Sequence, residues 1–113
     1  MDAHLFETFS KMIEKIPAKG IVKAVDIQCR MIEGDLLRKR SMPMKSAASI
    51  IAFGQFLQAV VQGKAVSPAT VPMHHIPVYR SIIEKLADAH ELPPTANDQF
   101  DTAFPGALMK SSP

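Results

Sequence analysis

The stretch SAASIIAFGQFLQAVVQ, residues 46–62, carries no charged side chain, although Lys45 precedes it and Lys64 follows closely. Plotted at roughly 100° per residue it divides into three faces. Ile50, Phe53, Phe56, Leu57, Val60 and Val61 make a broad bulky face, Ala48, Ala52 and Ala59 a narrow face of small side chains, and Gln55, Gln58 and Gln62 a neutral polar stripe. A helix apolar on most sides belongs in the middle of a structure, so this segment is expected to be a central helix with the others packed around it. The run from Ser46 to Gln62 is also about the minimum length of a membrane span, and the cations before it would suit a cytoplasmic flank. Three Gln on one stripe, two Ser and a Gly argue against a span. Membrane association through this segment is therefore the weakest of three functional readings.

Working outward, the helical spacing continues on both sides. Leu5, Phe9, Met12 and Ile16 predict a first helix over 3–16 with Asp2 as N-cap, ended by Pro17 and Gly20. A second helix is expected over 21–39. Its main seam is Val22, Val25, Cys29, Ile32 and Leu36, and Ala24, Ile27 and Met31 form another seam about 140° around the barrel. Lys23, Asp26, Arg30 and Glu33 lie between the seams, with Asp26 and Arg30 a favourable i,i+4 pair. A short link then turns the chain into the central helix, which makes the two an antiparallel hairpin. After Gly63 comes an irregular connection through Pro68 and Pro72, then a helix over 77–91 with Tyr79, Ile82, Ile83 and Leu86 inward. In the Pro-rich tail, 93–113, Ala96, Phe100, Ala103 and Phe104 can share one face of a short fifth helix, with Thr95 and Asp98 resembling a capping box. The expected fold is all-α: a four-helix bundle-like domain over 1–92 and a tail that either docks on it or enters a partner's groove through Phe100 and Phe104.

No segment alternates with period two, and no Asn-Gly or Asp-Gly hairpin turn occurs. At 113 residues the chain is one domain. Its net charge of +2 is too small to imply a nucleic-acid partner by itself. A single cysteine, Cys29, excludes an internal disulfide and fits a reducing compartment. The N-terminus has neither the basic start nor the apolar core of a signal peptide, so a cytoplasmic location is expected.

Catalytic patterns are lacking. There is no Gly-rich phosphate loop, no nucleophile elbow around any Ser, and no His-Glu-x-x-His helix. Cys29 on an apolar seam reads as packing, His74 and His75 as solvent-exposed loop residues, and His90 as a hydrogen-bonded histidine at the edge of a helix stripe. No cofactor, metal ligand or catalytic residue is expected, and an enzyme is disfavoured. The leading function is a small cytoplasmic interaction or regulatory protein that forms a homodimer through Ala24, Ile27 and Met31, since a helix with two apolar seams needs two partners. The alternative is a nucleic-acid-binding regulator that grips phosphates with Arg38, Lys39, Arg40 and Lys45; no aromatic residue is interleaved there for base stacking.

Overall fold

Prolines start several of the elements and left-handed residues end several. The computed structural model describes residues 4–39 and 41–104. It contains five helices, α1 (Leu5–Glu14), α2 (Ala18–Leu37), α3 (Met44–Gln62), α4 (Ile76–Asp88) and α5 (Ala96–Ala103), with a 3-10 turn at Met73–His75 ahead of α4. No strand occurs among the described residues. Pro17, Pro43 and Pro72 each have an extended ψ, of 149°, 107° and 138°. A proline has no N–H to give, but its carbonyl can accept the first bond of the next turn. Gly20 donates to Pro17 O at 2.9 Å, Ala47 to Pro43 O at 2.9 Å and His75 to Pro72 O at 3.0 Å. For this reason α2 begins at Ala18 and α3 at Met44, earlier than the apolar periodicity predicts. Gly20, expected to break the chain after α1, lies inside the first turn of α2. Asp2, the expected cap of α1, lies outside the described residues. At α5 the capping box does not form: Thr95 is itself helical and its side chain makes no capping bond. Ala96 instead donates to Pro93 O at 2.9 Å.

The C-terminal ends show the complementary device. Gly63, at φ 69°, closes α3, with Lys64 donating to Ala59 O and Gly63 to Val60 O. His90, at φ 62°, closes α4 in the same way: Glu91 donates to Leu86 O at 2.8 Å and His90 to Ala87 O at 3.0 Å. This is the left-handed termination that glycine occupies at least cost. It ends α4 at Asp88 and leaves the His90 imidazole exposed, where the spacing predicts a side chain hydrogen-bonded at a stripe edge.

α3 is the central helix, as its composition predicts. Ile50, Phe53, Phe56, Leu57 and Val60 are all buried. α1, α2 and α5 pack against it, and α4 reaches it through Tyr79, whose ring stacks on Phe53 at 4.2 Å between centroids. Among the described residues it is the one helix long and apolar enough to cross a bilayer; here Ile50, Phe53, Phe56, Leu57 and Val60 lie in the protein interior, while Val61, expected on the same face, is exposed near the helix end. α2 and α3 form the most extensive helix pair. Cys29 Sγ donates to Ile50 O at 3.4 Å, and Val25 lies over Gly54. Residue numbers thus rise on one helix as they fall on the other, which makes the pair the antiparallel hairpin expected. The close approach falls at Gly54, not along the Ala48, Ala52 and Ala59 face: a Cβ on Gly54 would stand 2.4 Å from Cys29 Sγ.

The tail docks. Phe100 and Phe104 are buried, stacked at 4.8 Å on one another and set edge-on to Phe56 at 5.9 and 5.6 Å. Arg80 of α4 pairs with Asp101 and lies over the Phe100 ring at 5.3 Å. The connection after α3 is tied to this helix where Ala69 donates to Ala103 O at 2.7 Å.

Two substitutions test these points. Gly54→Ala should overpack the α2–α3 contact and lower stability by about 1–3 kcal/mol in chemical denaturation. Adding Cys29→Ala should recover part of that loss, a coupling that a double-mutant cycle reads directly. His90→Gly relieves the left-handed strain and should raise stability by about 0.5–1 kcal/mol, the strain outweighing the extra freedom of the unfolded chain.

Candidate interaction face

α2 has the exposed face that its two seams predict. Ile21, Val25, Cys29 and Ile32 are buried against the rest of the protein. On the other side Ile27 is 46% exposed and Met31 57%, with Ala24 half-buried beside them. A shallow groove runs along this face, lined by Ile27, Arg30, Met31, Gly34 and Asp35 of α2 and by its C-cap, Arg38. Among the described residues no other element lines it. Leu37, Met44, Val61 and Met73 are also exposed, but they sit on separate element ends, and single exposed apolar residues are ordinary. Ile27 and Met31 differ because they are successive positions on one face of one helix.

Charges border that face on one side. Arg30 Nε meets Asp26 Oδ2 at 3.1 Å, the i,i+4 pair expected. Lys23 and Glu33 are exposed on the same flank.

The basic corner is less developed. Arg38, Lys39 and Lys45 are exposed, and Arg40 lies outside the described residues. Arg38 Nη1 shares its charge with Asp35 at 3.6 Å, and Lys39 is held in a left-handed conformation at φ 58° just past the end of α2. Phe100 and Phe104, the candidate partner-binding residues of the tail, are committed to the core.

A buried polar cluster was not anticipated. Ser49 Oγ lies 2.8 Å from His75 Nδ1 and 2.7 Å from Tyr79 OH. His75 also stacks on Phe6 at 3.6 Å between ring centroids, nearly parallel. It is 1% exposed, which corrects its reading as a loop histidine; His74 alone faces solvent. The signal was present in the spacing. Ser49, Phe53, Phe56 and Val60 share one face of α3, and His75, Tyr79, Ile82 and Leu86 follow the same spacing. A polar residue on such a stripe is buried with its neighbours and must find a partner there. A hydroxyl bonded to an imidazole resembles the pairing of nucleophile and base. All three residues are sealed in the core, however, so no substrate can reach the Ser49 oxygen in this structure.

Burial lowers His75 to a pKa of about 4, with the neighbouring His74 adding to the effect, and raises the Tyr79 phenol above its usual range. Both groups are thus neutral at pH 7. Burial likewise pushes the Cys29 thiol up to about 11, helped by the Glu33 and Asp26 carboxylates. The thiol is therefore protonated and acts as a packing group, as its seam position predicts.

A cleft of about 290 Å³ lies between α1, α2 and α4. Ile13, Ile21 and Ile82 line it together with the hydroxyls of Ser10 and Ser81. The ammonium of Lys85, at its edge, donates to Ile16 O at 3.0 Å and so ties α4 to the end of α1. Among the described residues no three His, Cys, Asp or Glu side chains gather where they could hold a metal ion.

Compared with known protein families, with characterised proteins and with solved structures, the chain shows no significant match.

The buried imidazole has a pH consequence. In the unfolded chain His75 takes up a proton near pH 6.5, whereas the folded state resists protonation until about pH 4. Between those values the unfolded state binds more protons, so stability is fully present above pH 6.5 and falls as the pH is lowered towards 4. The loss attributable to this residue is on the order of 3 kcal/mol at most. Urea unfolding at pH 7 and pH 4.5 should show a smaller drop for His75→Gln than for the wild type.

Proposed function

We propose that this chain is a small helical interaction protein, regulatory and not catalytic in role, which works by self-association through the outer face of α2. The observation that carries the reading is the pair Ile27 and Met31, each about half exposed on a helix whose opposite side buries Ile21, Val25, Cys29 and Ile32. Contiguous exposed apolar surface of this kind marks interfaces more often than single exposed residues do, and a two-fold dimer is the commonest closed solution. A single cysteine, which can form no disulfide within the chain, agrees with a reducing, cytoplasmic setting.

Sedimentation or light scattering over a concentration series tests the proposal. The wild type should be dimeric. Ile27→Glu should leave the helical far-UV spectrum close to wild type, because the side chain is exposed within one chain, and should remove the concentration dependence of the unfolding midpoint that a dimer confers. Dimerisation should weaken by more than about a hundredfold, since two buried Ile side chains are lost from each dimer. A wild type that stays monomeric throughout the series sinks the proposal.

A further inference from the structure

We infer that the outer face of α2 takes, as its partner, the same face of a second copy running antiparallel and centred on Ile27. This rests on the self-association proposed above and adds the orientation and register of the contact.

The stripe itself is nearly symmetric about that residue. Gly20, Ala24, Ile27, Met31 and Gly34 follow one another in steps of four, three, four and three, and each glycine stands seven positions from Ile27. When two such helices are laid antiparallel about Ile27, the two Ile27 side chains meet each other and Ala24 lies beside Met31; at each end Gly20 comes level with Gly34, with Ile16 beside the first and Arg38 beside the second, each 3.3 Å from where a Cβ would stand. The small side chain of Ala24 leaves space for the long, adaptable one of Met31. A parallel pair would instead set Met31 against Met31 and Ala24 against Ala24, crowding one level and leaving a gap at the other.

The bordering charges have the same property. A two-fold axis perpendicular to an antiparallel pair brings the same flank of both copies together. Along that flank the order is Lys23, Asp26, Arg30, Glu33, alternating plus, minus, plus, minus. Reversal inverts the sign at every position: Lys23 comes opposite Glu33, and Arg30 opposite Asp26. The register set by these charges is within two residues of the register set by the apolar stripe, inside the reach of lysine and arginine side chains. Asp26 and Arg30, already paired within one chain at 3.1 Å, then belong to a four-charge cluster. A parallel pair brings opposite flanks together and offers only Arg30 to Asp35, which Arg38 already approaches. Charges at the border of a helix pair contribute less to its strength than to the choice of partner and orientation. Here they specify a second copy of this chain, reversed.

Two experiments read the orientation. In a Cys29→Ala background, with retention of the helical spectrum as the check on folding, Ala24→Cys and Met31→Cys chains are oxidised separately and mixed. The antiparallel contact predicts efficient cross-linking only in the mixture; homodimeric cross-links at each position alone would mean a parallel pair and overturn the inference. If Cys29→Ala does not fold, the same cysteines are introduced beside the buried native thiol, with the wild-type chain as the control. The second experiment reverses charge. Lys23→Glu with Arg30→Glu makes the flank wholly acidic, and Asp26→Lys with Glu33→Lys makes it wholly basic. Each variant alone should dimerise at least about tenfold more weakly than wild type, and an equimolar mixture should recover association.

Charge variants that dimerise like the wild type, while Ile27→Glu does not dimerise, would reject the antiparallel register and keep the contact face. A wild-type dimer insensitive to Ile27→Glu would reject the face and the register together. A monomeric intact chain that dimerises when ended after Phe104 would assign the face to residues 105–113 of the same chain and overturn both proposals.

Discussion

The contact between Cys29 and the bare backbone at Gly54 is the constraint from which the rest of the arrangement follows. Any side chain at position 54 would collide with the sulfur, so α2 can approach α3 this closely only because residue 54 is a glycine. The thiol, held in its protonated form by burial and by the adjacent carboxylates, donates to the Ile50 carbonyl and acts as a small apolar wedge. This seats the inner seam of α2 completely. The outer seam of the same helix must then point away, because residues 27 and 31 lie more than a quarter-turn from 25, 29 and 32 at helical spacing.

On other sides of α3 the packing is aromatic and partly polar. Phe53 stacks on Tyr79, and Phe56 is bracketed by Phe100 and Phe104. Tyr79 brings a hydroxyl into this layer and His75 an imidazole, and an unpaired polar group there would cost far more than a hydrogen bond returns. Ser49 answers both from one oxygen. The same oxygen links α3 to the turn before α4, and the stack of His75 on Phe6 carries the link to α1. A polar cluster of this kind adds less to stability than an apolar core of equal volume would, but it restricts how the three segments can be registered.

The outer face of α2 is a consequence of helix economy. Among the described residues four helices surround α3, and α1 and α5 are short, at 10 and 8 residues against the 20 of α2. With α5 required to cover Phe56 and Phe53, no segment among the described residues is left to cover Ile27 and Met31. The symmetric partner proposed above would cover them without additional chain.

Much of this was legible in the sequence. The apolar run from Ser46 to Gln62 identified the central helix, the prolines located the breaks, and the 3.6-residue period separated the two seams of α2. These are local properties, written in spacing and in the restricted backbone of proline and glycine. What the tertiary structure alone decided is less local. Gly20 reads as a breaker until the Pro17 carbonyl is seen to start a helix through it. His75 reads as a loop residue until Phe6 and Ser49, distant in sequence, close over it. Phe100 and Phe104 are equally suited to a partner's groove or to this core, and only the position of Phe56 separates the alternatives. Gly54 carries no sign in the sequence that its missing side chain is where two helices touch. Periodicity specifies which side of a helix is apolar; what meets that side depends on contacts between residues far apart in the chain, and those exist only once the chain has folded.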